Sequence, residues 1–137
     1  MKKISENKGR QGFTLVEVIV VAVIVLILSA VAIPMYNGFI RDARISTAQN
    51  LAETAAAAAN THWRRTGNNP DNTVGTAACN ITNIQPTGTS NPSKATEVLN
   101  IHFDTEKHEV RCVGNEIVVG PGTKSPDFEE QKVRFKN

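Results

Sequence analysis

The chain has 137 residues, of which 40% are hydrophobic and 5% aromatic, and this length predicts a single domain. Its formal net charge is +2, but residues 1–12 carry four basic side chains and one acidic one, which leaves 11 basic and 12 acidic side chains in residues 13–137. A nearly neutral chain of this kind argues against a function that needs a strongly basic surface, such as general nucleic-acid binding.

A short basic segment precedes a long apolar one. Residues 13–40 are 28 residues long and contain one charged side chain, Glu17. At a rise of about 1.5 Å per residue, a helix of this length spans about 42 Å, which is enough to cross a bilayer. The basic side chains before it favour a cytoplasmic N-terminus. They are Lys2, Lys3, Lys8 and Arg10.

Glu17 is the unusual residue of the apolar segment, because a charged side chain at mid-bilayer costs about 2.5 to 3.5 kcal/mol on insertion scales. One interpretation is that Glu17 lies close enough to the helix start to reach the lipid headgroups. The other requires a cation. Cleavage between Gly12 and Phe13 would place a new α-amino group one helical turn from Glu17, on its own subunit or on a neighbour.

The residues from Gly12 to Glu17, read Gly-Phe-Thr-Leu-Val-Glu, resemble the N-terminal motif of the type IV prepilin family. The resemblance extends to about Gly67. It implies a leader peptide, residues 1–12, that a prepilin peptidase removes by cutting after Gly12. It also implies N-methylation of Phe13 and a role in assembly for Phe13 and for Glu17, which contacts the N-terminus of an adjacent subunit.

The same resemblance implies a location and a set of partners. The precursor would be a single-pass protein of the bacterial inner membrane, and the mature chain would form an extracellular pilus. Its partners would be the prepilin peptidase, the pilus assembly machinery and further copies of itself in a helical filament.

Two other interpretations of the apolar segment stay open. An ordinary secretory signal peptide would be cut after the Ala30-Val31-Ala32 sequence, and a plain membrane anchor would not be cut at all. The carboxylate of Glu17 and a helical pattern that continues past Ala32 argue against the signal peptide.

Residues 41–66 predict an amphipathic continuation of the helix, packed on a sheet. Gly67, followed by two Asn residues and Pro70, predicts its end. Pro34 removes one backbone hydrogen bond within the helix and predicts either a plain kink or, from the resemblance, a stretch that unwinds in a filament. The positions that recur at spacings of three and four residues are Ala48, Leu51, Ala52, Ala55, Ala58, Ala59 and His62.

Residues 67–97 are rich in Gly, Asn, Thr, Pro and Ser and predict a long loop that contains Cys79. The second cysteine, Cys112, falls in a predicted strand. Two cysteines in a head domain that the topology places outside the cytoplasm predict one disulfide bond.

The last part of the chain, residues 98–137, predicts a three- or four-stranded antiparallel sheet. Gly114-Asn115 predicts a two-residue hairpin turn between two of the strands. The fold class is therefore α+β, with a long N-terminal helix packed on a small sheet, as in pilins. The predicted strands are residues 98–103, 109–113, 116–120 and 132–135.

No spacing in the sequence predicts a catalytic site, a cofactor or a metal centre, so we expect a structural protein and not an enzyme. His62, His102 and His108 are far apart in sequence, and zinc therefore has no convincing ligand set. Neither the pair Asp104 and Glu106 nor the group Asp127, Glu129 and Glu130 matches a known calcium-loop spacing.

The aromatic and two guanidinium groups of Trp63-Arg64-Arg65 could contact nucleic acid, but a core tryptophan and two cations at a helix C-terminus explain them more simply.

The function that these patterns favour is the structural subunit of a type IV pilus. The first alternative is a type II secretion pseudopilin or a minor pilin, whose N-terminal segment would look the same. The second is a secreted or membrane-anchored binding protein unrelated to filaments.

Overall fold

The computed structural model describes residues 13–71, 79–125 and 128–136. The chain divides into two compact units, Met1–Gly38 and Phe39–Asn137. The predicted leader peptide, with Gly12, lies outside the described residues. Helix α1 (Leu15–Thr66) supplies the described helical residues of the first unit and continues in the second.

The end of α1 has the features that its sequence predicts. Arg64 and Arg65 occupy the last turn, where cations interact favourably with the helix dipole. Gly67 follows with a φ of 70°, and its N–H donates to the carbonyl of Trp63 at 2.8 Å. A left-handed glycine in this position satisfies one of the last free carbonyls and stops the helix.

The second unit contains a four-stranded antiparallel sheet in the order β1-β2-β3-β4. The predicted hairpin connects β2 to β3, with Val113 opposite Glu116 and Gly114 at a φ of 63°. A long helix packed on this small sheet confirms the predicted α+β fold. The strands are β1 (Cys79–Ile84), β2 (His108–Gly114), β3 (Glu116–Pro121) and β4 (Gln131–Arg134).

The predictions of a loop over residues 67–97 and of a strand over residues 98–103 were wrong. The predicted loop contains β1, and helix α2 (Lys94–Leu99) ends where the strand was expected. Ser93 caps α2 by accepting the N–H of Thr96 at 3.2 Å, and Asn100 stops it in the left-handed region with a φ of 48°. The apolar alternation at Leu99 and Ile101 therefore reflects burial of a helix end and of an extended segment, not strand pairing.

The core of the second unit lies between the small face of α1 and one face of the sheet. Five alanines of α1 are buried and belong to the same apolar cluster as side chains of the sheet. The cysteine pair and the apolar side chains of β1, β2 and β3 fill the opposite side. The buried alanines are Ala48, Ala52, Ala55, Ala56 and Ala59.

Candidate assembly site

No other residue that the structure describes covers the apolar side chains of the first unit. Every residue from Phe13 to Phe39 is exposed, and the large hydrophobic side chains among them are 51% to 82% exposed. The helix that carries them is long and apolar enough to cross a membrane. An exposed apolar surface of this size marks contact with lipid or with another protein.

The helix start holds Glu17 in a defined place. Thr14 accepts the N–H of Glu17 on its side-chain Oγ1 at 3.3 Å, and its carbonyl accepts the N–H of Val18 at 3.3 Å. A threonine followed three residues later by a glutamate is the capping-box pattern. A carboxylate in the first turn also interacts favourably with the helix dipole. Sequence reasoning missed this local role, although the Thr-x-x-Glu spacing was available to it.

The two residues that the sequence assigns to assembly meet at one side of this helix start. Phe13 and Glu17 border a shallow groove together with Val18 and Val21. The groove therefore combines one carboxylate with apolar walls. If a second apolar surface covered it, water would be excluded and the carboxylate would need a cation as partner.

The apolar segment contains residues near its middle and end that disfavour regular helix. Pro34 lies inside α1 and lacks the N–H that would otherwise bond to the carbonyl of Ala30. Ser29 Oγ donates to the carbonyl of Val25 at 2.7 Å, a bond that often accompanies a bend. Gly38 adds a residue that disfavours helix by about 1 kcal/mol relative to alanine. A kink or unwinding near Pro34 stays a prediction.

Cys79 and Cys112 form a disulfide bond in the second unit, with their Cα atoms 5.8 Å apart. Both side chains are fully buried, and the bond joins the edge strand β1 to β2. The predicted cysteine pair is therefore brought together, and its position is in the core of the head rather than at its surface.

Among the described residues of the second unit, His108 and Asp104 have shifted pKa values. Burial lowers the pKa of His108, and a hydrogen bond with the backbone of Arg44 offsets part of that effect. The hydrogen bond with Lys107 lowers the pKa of Asp104. In the parts of the chain that the structure describes, no group of three or more His, Cys, Asp or Glu side chains is placed to hold a metal ion.

Comparison with known proteins agrees with this geometry. The family model for the prokaryotic N-terminal methylation motif matches residues 7–33. A fimbrial protein of Neisseria meningitidis serogroup A is 35% identical over 79 residues, which cover 58% of this chain and 46% of that protein. A type IV major pilin protein PilE1 of Neisseria gonorrhoeae is 39% identical over 66 residues, 48% of this chain and 40% of that protein. No solved structure matches.

The chain therefore combines an exposed apolar helix that is long enough to cross a membrane, the methylation motif, and a head built on a small sheet. The methylation motif and these relatives support a relationship of the chain to type IV pilins. The matches span less than half the length of these curated relatives.

Proposed function

We propose that this chain is the structural subunit of a type IV pilus. It enters the bacterial inner membrane as a precursor, is cut after Gly12 and N-methylated at Phe13, and polymerises through its N-terminal helix into an extracellular filament. The observation that carries this proposal is the exposure of every residue from 13 to 39, which leaves the apolar helix without a partner among the described residues.

The energetics of assembly follow from this exposure. In the membrane the apolar segment contacts lipid tails, which are as apolar as its own side chains. Moving it into a bundle of identical helices therefore gains little from the hydrophobic effect and depends on packing and on polar contacts. Glu17 supplies such a contact, because an apolar bundle would leave its carboxylate without water unless the N-terminal amine of a neighbouring Phe13 approached it.

The substitution Glu17→Ala tests the assembly step. We expect normal membrane insertion and leader cleavage, and at least a tenfold loss of filaments, since about 1.4 kcal/mol per contact is already a factor of ten. Filaments are sheared from cells and counted by electron microscopy, while the intact mass reports cleavage and methylation. A wild-type filament count in this variant would contradict the role of Glu17.

Glu17→Gln separates the two roles of this residue. Glutamine also fits the capping box but carries no charge, so the helix start is kept while the ion pair is lost. We expect the same filament loss as for alanine. Glu97→Ala, which removes an exposed carboxylate from α2, is the matched control and should leave the filament count unchanged.

The mass and abundance of the protein in material sheared from cells also distinguish a major pilin from the alternative functions. An abundant chain that starts at N-methylated Phe13 supports the major subunit. The same mature chain at trace level in the sheared material would instead indicate a pseudopilin or a minor pilin. A chain that starts after Ala32, or an uncut chain that stays in the membrane, would indicate a secreted or anchored protein.

A further inference from the structure

Three cations of the second unit converge at the end of α1, and we call Arg64, Arg134 and Lys136 the basic patch. They line one pocket with Asn60, Trp63 and Phe135. The Nζ of Lys136 lies 3.5 Å from the centre of the Trp63 ring. Arg134 Nη2 lies 3.4 Å from Glu116 Oε1, and Arg64 is exposed with no ion pair to a described residue.

Two exposed carboxylates lie on the same face of α1 as Arg64. Asp42, Glu53 and Arg64 follow one another at intervals of eleven residues. Eleven residues amount to three turns and about 20°, so the three side chains lie within about 40° of one another around the helix. Neither Asp42 nor Glu53 forms an ion pair with a described residue.

Strand β4 runs beside this face in the same direction as α1. Gln49 Nε2 donates to Gln131 Oε1 at 3.2 Å, and Asn60 Nδ2 donates to the carbonyl of Phe135. The exposed Glu129, two residues before Gln131, therefore lies toward the Asp42 end, whereas Lys136 lies toward the Arg64 end. We call Asp42, Glu53 and Glu129 the acidic patch.

The two patches separate charge along one edge of the head. Several other cations of the head lie next to carboxylates: Arg111 pairs with Glu130, Lys107 with Asp104 at 3.0 Å, and Lys124 with Glu106 at 2.7 Å. Arg64, Glu53 and Asp42 form no such pair with any residue that the structure describes. An edge that is acidic at one end and basic at the other complements an identical, parallel edge only if one of them is displaced along its length.

We propose that the basic patch of one copy binds the acidic patch of a second copy of this chain, with Arg64 facing Glu53. Eleven residues of helix correspond to about 17 Å, which is the displacement along α1 that brings these two side chains to one level. Zero displacement would place like charges side by side. The contact rests on the proposed function, since it joins parallel subunits of a filament, and it would fix the register of the heads.

Charge reversal tests the contact in the full chain in its native cells. We expect Glu53→Arg and Arg64→Glu each to lower the sheared filament yield about tenfold, because each places like charges in contact. The double variant carrying both changes should return to within about twofold of wild type. Glu97→Arg and Lys94→Glu, on the exposed surface of α2, are the matched controls and should keep the wild-type yield.

Chemical cross-linking tests the contact between the two patches independently of filament yield. Filaments of the Arg64→Lys variant are treated with a carbodiimide, which joins an amine to a carboxylate only when the two are in contact. Residues 53 and 64 of one chain are about 17 Å apart along a helix, so a link between them must join two copies. The pair Lys124 and Glu106, 2.7 Å apart within one chain, shows that the reaction has worked.

The two proposals fail in different ways. Wild-type yields in both single variants, or a double variant that stays as defective as they are, would overturn the patch contact and leave the pilus proposal intact. So would a Lys124–Glu106 link without any 53–64 link. A wild-type chain that is never found in sheared filaments would overturn both.

Discussion

The disulfide between Cys79 and Cys112 should supply a large part of the stability of the head. The bond closes a separation of 33 residues. In the chain-entropy description, a loop of this size stabilises the folded state by about 3.7 kcal/mol at 25 °C. A small domain is typically stable by only about 5 to 15 kcal/mol, so reduction should bring this head close to unfolding.

The disulfide bond can be removed by reduction or by substitution of both cysteines, and the two treatments leave different atoms in the core. Reduction of the wild-type protein opens the cross-link and leaves both sulfurs in the core. The double variant Cys79→Ala/Cys112→Ala removes the cross-link and also the sulfur atoms, which are fully buried, so it should be somewhat less stable than the reduced protein. Alanine is preferred to serine because a hydroxyl at these sites would be buried without a partner.

Urea unfolding of the full chain in detergent provides the measurement. Trp63 is the single tryptophan of the chain and lies in the head, so its fluorescence follows the unfolding of this part. For a slope of about 2 kcal/mol per molar urea, a loss of about 3.7 kcal/mol moves the midpoint down by about 2 M. The double variant should not respond to reductant.

A midpoint that falls by less than about 0.5 M on reduction, with an unchanged slope, would refute this reasoning. It would mean that packing of β1 against β2 holds the edge strand without the covalent bond. A changed slope would instead locate the effect in the unfolded state, which the bond also constrains.

Two further predictions concern the turn that carries His108. A Cβ on Gly122 would lie 2.6 Å from the carbonyl oxygen of Glu106, so Gly122→Ala should destabilise the head by about 1 to 3 kcal/mol, whereas Gly120→Ala meets only ordinary contacts and should change the urea midpoint little. Burial lowers the pKa of His108, so the unfolded state binds the extra proton first. Stability should therefore be full above about pH 6.5 and fall below it. His108→Gln should flatten this dependence between pH 5 and 7, and an unchanged pH profile would contradict the assignment.

The sequence predicted the elements whose signals are local. The end of α1 at Gly67 depends on a left-handed glycine, and the hairpin at Gly114-Asn115 depends on a two-residue turn, so each can be recognised within a few residues. The fold class followed from these elements and from the alternation in β2 and β3. The pairing of Cys79 with Cys112 followed from there being two cysteines in a segment expected outside the cytoplasm.

The predictions from sequence were wrong where burial, and not local conformation, determines the pattern of apolar residues. Cys79–Ile84 has few apolar residues and lies among turn formers, yet it forms β1 because β2 offers an unpaired edge and the disulfide holds it there. Leu99 and Ile101 alternate as in a strand because both face the core, although Ser93 and Asn100 cap a helix between them. Capping residues are local signals too, and reading them before the alternation would have placed α2.

In the proposed filament, the charged groups at the two ends of α1 would have different roles. Residues 13–40 carry a single charged side chain near their start, so a bundle of such helices would have one charged contact to set its register, and lipid competes equally for the apolar surface. A single contact near one end controls rotation and tilt poorly at the other. The charges on Asp42, Glu53 and Arg64 lie on the part of α1 that belongs to the head, where water weakens each pair but repetition along a filament adds them. The Glu17 contact would be desolvated, whereas the ion pairs between heads would be solvated. Raised salt should therefore weaken the ion pairs between heads far more than the Glu17 contact.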